Sequence, residues 1–129
     1  MRQSRALLFV VAVAGLLAAV APGLASRPRD AQQADPPRQT IDISAERFAF
    51  TPSEIRTKAG TTLEIRLRSD DTAHGFHIVG TDVDLELPKR GRGVATVTFT
   101  PKAGRYTFEC SRLCGAGHEF MRGVIVASE

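Results

Sequence analysis

Sulfur and imidazole are scarce in this sequence, and what little there is gathers in two short stretches. Cys110 and Cys114 are the only cysteines, Met121 is the only methionine besides Met1, and the only histidines are His74, His77 and His118. Two cysteines allow one intrachain disulfide at most. A basic excess is missing as well. Setting aside Arg2 and Arg5 at the extreme N-terminus lowers Lys+Arg from 17 to 15, against 14 acidic residues. A nearly neutral chain gives no case for nucleic-acid binding, which calls for a surplus of positive surface. Helical periodicity is absent between residue 40 and the cysteines, which excludes a helix bundle for the folded part.

Charge is also absent from residues 6–25, an apolar run behind Arg2 and Arg5. This is the pattern of a secretory signal, with Pro22-Gly23 breaking the segment and small residues before a cleavage point after Ala25. An uncleaved anchor is the competing reading, since about 20 apolar residues can span a bilayer. Either way residues 26 onward are expected to be exported, in the periplasm or on the outer face of the cytoplasmic membrane, with the basic end retained inside. Residues 26–39 hold three prolines, many charges and no large apolar side chain. They cannot bury enough surface to fold alone and are read as a flexible linker. The folded domain is expected over residues 40–129.

Within that span the periodicity is two. Leu63, Ile65 and Leu67 alternate with Glu64, Arg66 and Arg68; Val83, Leu85 and Leu87 alternate with Asp82, Asp84 and Glu86; Ala95, Val97 and Phe99 alternate with threonines. Tyr106, Phe108 and Cys110 share one face of a further run. Such alternation marks half-buried antiparallel strands, separated by turn signals at Ala59-Gly60, Asp70-Asp71, Gly91 to Gly93 and Pro101 to Gly104. Seven or eight short strands in a chain of this size predict an all-β, two-sheet sandwich, whose end loops are natural binding sites.

One such loop carries Cys110, Cys114, His118 and Met121, with three residues between the cysteines and three more before the histidine. Soft sulfur beside imidazole selects copper over hard cations. The loop holds one thiolate more than a mononuclear blue-copper site uses, which points to a two-copper centre. A Cys110–Cys114 disulfide is the alternative for an exported chain, but it would close a very short loop and constrain little. Gly115 and Gly117 permit the backbone conformations of a tight wrap. His74 opens another strand and can reach the same end; His77, three residues on, turns to the opposite face.

The stretch Asp71-Thr-Ala-His74-Gly-Phe, together with Cys110-Ser-x-x-Cys114-Gly-x-x-His118-x-x-Met121, resembles the binuclear-copper (CuA) domain of cytochrome c oxidase subunit II and of nitrous oxide reductase. The resemblance extends over residues 40–129, including Phe48-Ala-Phe-Thr-Pro52. It implies a cupredoxin Greek-key β-sandwich. It also implies that Cys110 and Cys114 each bridge two coppers, that His74 and His118 each bind one, that Met121 is a weak ligand, and that the backbone carbonyl of Arg112 completes the set. A mixed-valence pair so ligated relays single electrons with little rearrangement. With every ligand position filled by protein, no catalysis is expected from this chain alone.

Two departures bear on the partner. Oxidase subunits usually carry a glutamate between the cysteines that helps bind magnesium; here the position is Arg112, which cannot bind a cation. The aromatic residue through which electrons reach those subunits is missing, because the chain has no tryptophan. The expected role is electron delivery from a c-type cytochrome to a membrane oxidase catalytic subunit. The alternatives are a free-standing carrier, soluble or tethered to the membrane, and a copper chaperone or storage protein.

Overall fold

In the computed structural model the described residues are 34–129. The signal or anchor expected over 1–25, and residues 26–33 of the linker, lie outside them. The described residues form nine strands: β1 (Arg38–Glu46), β2 (Ala49–Thr51), β3 (Glu54–Lys58), β4 (Thr62–Ser69), β5 (His74–Ile78), β6 (Asp84–Leu87), β7 (Ala95–Phe99), β8 (Gly104–Glu109) and β9 (Arg122–Ser128). A single 3-10 turn, His118–Phe120, interrupts them. No helix among the described residues is long and apolar enough to cross a membrane.

The strands make a four-stranded sheet in the order β2-β1-β4-β7 and a five-stranded sheet in the order β3-β9-β8-β5-β6. The expected all-β sandwich is therefore present. Two neighbour relationships differ from the antiparallel expectation: β1 lies parallel to β4, and β3 parallel to β9. A parallel pair needs a crossover, and the chain supplies one by passing through β2 and β3, in opposite sheets, between β1 and β4. Strand β1 opens at Arg38, ahead of residue 40, because Arg38 and Gln39 pair with Thr62 and Leu63.

Alternation does the sorting of side chains. Leu63, Ile65 and Leu67 of β4 are fully buried, while Arg66 and Arg68 between them are exposed. Facing them across the sandwich are Phe76 and Ile78 of β5, Leu87 of β6, Phe108 of β8 and Ile125 of β9, all without solvent exposure. Each such side chain contributes about 1.5–3 kcal/mol relative to an exposed one. Phe50, Phe76 and Phe108 form a three-ring cluster with centroids 5.2 to 5.8 Å apart. Cys110, Cys114 and Met121 belong to the same core cluster, so the sulfur-rich loop caps the dry interior rather than hanging from it.

Candidate metal centre

The sheet order brings the donors together. Strand β8 ends at Glu109, one residue before Cys110, and β9 begins at Arg122, one residue after Met121. These strands pair antiparallel, with Glu109 opposite Arg122, and the Cys110 N–H donates to the Met121 carbonyl at 3.0 Å. The whole loop is thereby pinched at its base. On the other side of β8 lies β5, whose pairing of His77 with Glu109 sets its first residue, His74, against the start of the loop.

The side chains converge. The Cys110 and Cys114 sulfurs are 3.8 Å apart, and both thiols are free. A disulfide would need about 2.05 Å. His74 Nδ1 is 4.0 Å from the Cys110 sulfur, and His118 Nδ1 is 3.8 Å from that of Cys114. The Met121 sulfur is 3.9 Å from Cys114 Sγ, and the Arg112 carbonyl oxygen is 3.1 Å from Cys110 Sγ. One potential donor from each of His74, Cys110 and Cys114 lies within 4.8 Å of the others. Bonds of about 2.0 Å to nitrogen and 2.3 Å to sulfur can span gaps of this size, so the donor set fits a bound transition metal. The soft thiolate, thioether and imidazole chemistry favours copper.

Burial and hydrogen bonding shape the donors further. His74 has no solvent exposure, and its Nε2 lies 2.7 Å from Asp71 Oδ1. That contact fixes the ring so that Nδ1 is the nitrogen turned toward sulfur. Burial pushes the Asp71 carboxyl up, but hydrogen bonds from His74 and from the Thr72 and Arg47 backbone outweigh it and hold the group below its ordinary value. Burial, followed by the neighbouring Cys110 sulfur, pushes the Cys114 thiol up to about 11. A metal must therefore displace that proton as it binds. Gly75 donates its N–H to the Cys110 sulfur at 3.4 Å, an approach a side chain would block: a Cβ there would meet Ser111 Oγ at 2.3 Å.

Every residue singled out in the sequence as a ligand (His74, Cys110, Arg112 through its carbonyl, Cys114, His118 and Met121) lies at this end of the sandwich. His77 does not join them; its Nδ1 is 2.9 Å from the Val83 carbonyl. The Arg112 guanidinium turns away to pair with Glu86 of β6, and Ser111 Oγ donates to Asp84 Oδ1 at 2.6 Å. Leu113 and Phe120 are exposed large hydrophobics, at 81% and 74%, on the same loop.

Three neighbours were given no role at the site by the sequence, although Phe48 and Asp71 lay within its motifs. Arg47 donates from Nε to the Cys114 carbonyl at 3.0 Å, and its backbone N–H donates to Asp71 Oδ2 at 3.0 Å. Phe48 packs beneath Gly115 and Gly117. Asp71 was visible only as part of the motif ahead of His74.

Comparison with known proteins agrees with this geometry. A family model described as a cupredoxin-like domain matches residues 8–127. Cytochrome c oxidase subunit 2 of Thermus thermophilus is 36% identical over 99 residues, covering 75% of this chain and 71% of the relative. A second subunit 2 from the same species is also 36% identical, with 57% of its length covered. A chain of a heme-copper terminal oxidase dimer solved by cryo-EM superposes with a TM-score of 0.63 at 29% identity, covering 76% of this chain and 68% of that one.

Proposed function

The chain belongs to the cupredoxin-like domain family, and within it to the relatives of cytochrome c oxidase subunit II; we propose that its copper electron-transfer role is carried by a dinuclear, mixed-valence CuA-type centre. Cys110 and Cys114 would hold the two copper ions as thiolates. His74 and His118 would each bind through Nδ1, Met121 through a weak thioether contact, and Arg112 through its backbone carbonyl. When bound, the copper pair supplies a one-electron couple whose charge is shared over two metals and two sulfurs.

The observation that carries this reading is the pair of free sulfurs 3.8 Å apart, each with an imidazole Nδ1 beside it at 4.0 or 3.8 Å. The two imidazole–thiolate pairs supply a nitrogen and a sulfur for each of two metals, whereas a single metal would draw on His74, Cys110 and Cys114 and leave the His118 nitrogen beside Cys114 unused. The surrounding residues keep the donors in place. Asp71 orients His74, Gly75 donates to Cys110, and the core packed under Cys110, Cys114 and Met121 excludes water. His118 is only half-buried, on the loop that also carries the exposed Leu113 and Phe120. Its imidazole edge is the natural route for an electron from a docked partner.

The covered relatives are oxidase subunits, from which we take a c-type cytochrome as donor and a membrane oxidase catalytic subunit as acceptor. The domain of residues 40–129 would work outside the cytoplasm, behind the linker of residues 26–39 and the signal or anchor of residues 1–25. One observation favours a second reading, a free-standing carrier. The side chain between the two cysteines is Arg112, folded onto Glu86, so no carboxylate from that position is available for a metal shared with a catalytic subunit.

The test is the copper content and EPR spectrum of the copper-loaded full chain. Two coppers per chain, with a hyperfine pattern of more lines than one copper nucleus gives, is the expected result. One copper with a four-line pattern would sink the dinuclear reading.

A further inference from the structure

Side chains from outside fasten the ligand loop at three places, one of them near its end, where Arg122 Nη2 donates to the Glu119 carbonyl at 2.6 Å. On the side preceding Cys114, Ser111 and Arg112 reach Asp84 and Glu86 of β6. On the side following it, the only side chain hydrogen-bonded to the loop from the opposite sheet, among the described residues, is Arg47. Arg47 occupies the two-residue turn between β1 and β2, where Glu46 pairs with Ala49. Its position is itself fixed. The Arg47 N–H bonds Asp71 Oδ2 at 3.0 Å while Asp71 Oδ1 holds His74 Nε2 at 2.7 Å. The next residue, Phe48, fills the space under Gly115 and Gly117.

From this we infer that Arg47 is a positioning residue for the metal centre. Its Nε–H, donated to the Cys114 carbonyl at 3.0 Å, clamps the ligand loop to the turn that also steadies His74, so both halves of the donor set are fixed before metal arrives. The inference rests on the copper reading above for its consequence, but not for its geometry. What the clamp supplies is preorganisation. Loop residues 115–118 are otherwise tied mainly by their own short turns, such as His118 N–H to the Gly115 carbonyl at 3.1 Å. A charge-assisted hydrogen bond is roughly twice as strong as a neutral one, and partners that orient metal ligands typically contribute 10–100-fold to metal affinity. Arg47 couples His74 and Cys114 although the two belong to different segments, because its backbone N–H engages Asp71, which holds His74, and its side chain engages the Cys114 carbonyl.

Two substitutions in the full chain separate the hydrogen bond from the charge. In Arg47→Gln the amide nitrogen takes the place of Nε, keeping a donor without the charge. Arg47→Met keeps the stem and removes the donor. The first measurement is amide hydrogen exchange of the metal-free protein, which needs no copper and therefore stands even if the copper reading fails. Arg47→Met should exchange about tenfold faster at the hydrogen-bonded loop amides of His118 and Phe120, the scale of one hydrogen bond to a charged group, with β8 and β9 unchanged, while Arg47→Gln stays near wild type. The second measurement is copper release to a chelator together with the reduction potential of the loaded protein. Arg47→Met should release copper about tenfold faster and Arg47→Gln should not. Both should show a lower potential, because each removes a positive charge that favours the reduced state. Wild-type exchange and release in Arg47→Met would overturn the inference, as would equal loosening in both variants. Should Arg47→Met fail to fold, Arg47→Gln decides: protected loop amides support the clamp, and fast exchange there refutes it. A wild-type chain that binds one copper or none would count against the dinuclear proposal, not against the clamp.

Discussion

The ring of Phe48 occupies the volume that a side chain at Gly117 would need: a Cβ built there would lie 2.3 Å from Phe48 Cδ2. Gly117 has a φ of −107°, which any residue adopts, so its requirement is for space and not for backbone freedom. Gly115 differs, combining a φ of +144° with a Cβ contact of 3.0 Å to the same ring. Gly117→Ala should therefore destabilise the metal-free protein by about 1–3 kcal/mol, the usual range for overpacking. Phe48→Leu in the same chain should recover part of that loss, whereas it should not rescue Gly115→Ala, where the backbone strain remains. Denaturant unfolding of the single and double variants measures the coupling. Additive effects for the 48/117 pair would show that the contact is relieved by loop movement.

The sulfur donors should separate by their roles. If the centre is dinuclear as proposed, Cys110→Ser or Cys114→Ser is expected to abolish it, since each removes one of the two thiolates. Met121→Leu is a nearly volume-conserving change in a core position, costing under about 1.5 kcal/mol. It should keep both coppers and shift the potential, because a weak axial thioether chiefly tunes potential. Copper content by elemental analysis and the midpoint potential distinguish these outcomes. Complete copper loss in Met121→Leu would overturn the ranking.

Much of this site can be seen in the sequence because its donors are either close together or placed by strand starts. Cys110, Cys114, His118 and Met121 share one loop, and His74 stands at the first residue of β5. The two-residue period likewise exposes which face of β4 and β8 is buried. It does not encode which strand lies beside which, and so the parallel pairings of β1 with β4 and β3 with β9 could not be read from it. Arg47 was invisible for a related reason. Its bond to Cys114 spans 67 residues of sequence, and nothing local in Glu46-Arg47-Phe48 distinguishes a clamp from an ordinary exposed turn. Gly117 was legible as a glycine but for the wrong cause.

The two upstream histidines offer a sharp contrast. His74 is fully buried, bonded to Asp71 and directed at Cys110, whereas His77 is tied to the Val83 carbonyl. His74→Ala should disrupt the visible and EPR spectra of the copper-loaded protein and leave Asp71 without its imidazole partner. His77→Ala should leave both spectra unchanged. The opposite result would mean that β5 is shifted by one residue relative to β8, which would turn every side chain of the strand to the other face.

Arg112 and Glu86 form an ion pair on the outside of the ligand loop, with side-chain exposures of 46% and 75%. If copper contacts only the Arg112 carbonyl, Arg112→Ala should retain full copper content. Its guanidinium, though turned to Glu86, is carried by a residue whose carbonyl lies 3.1 Å from the Cys110 sulfur, and positive charge near the centre favours the reduced, less positive state. Arg112→Ala should thus lower the potential and Glu86→Gln should raise it, and the double variant should return near wild type because the pair is removed together. Each shift should shrink as salt is added, since exposed charges more than about 10 Å apart are screened at 0.1 M ionic strength. Electron-exchange rates with charged partners should change in the same variants through steering, without any change in copper content. Copper loss in Arg112→Ala would refute the carbonyl-only role. Potentials and rates unmoved by either substitution would make the pair a bystander, and the mutual cancellation in the double variant is what separates a local field effect from a rearranged loop.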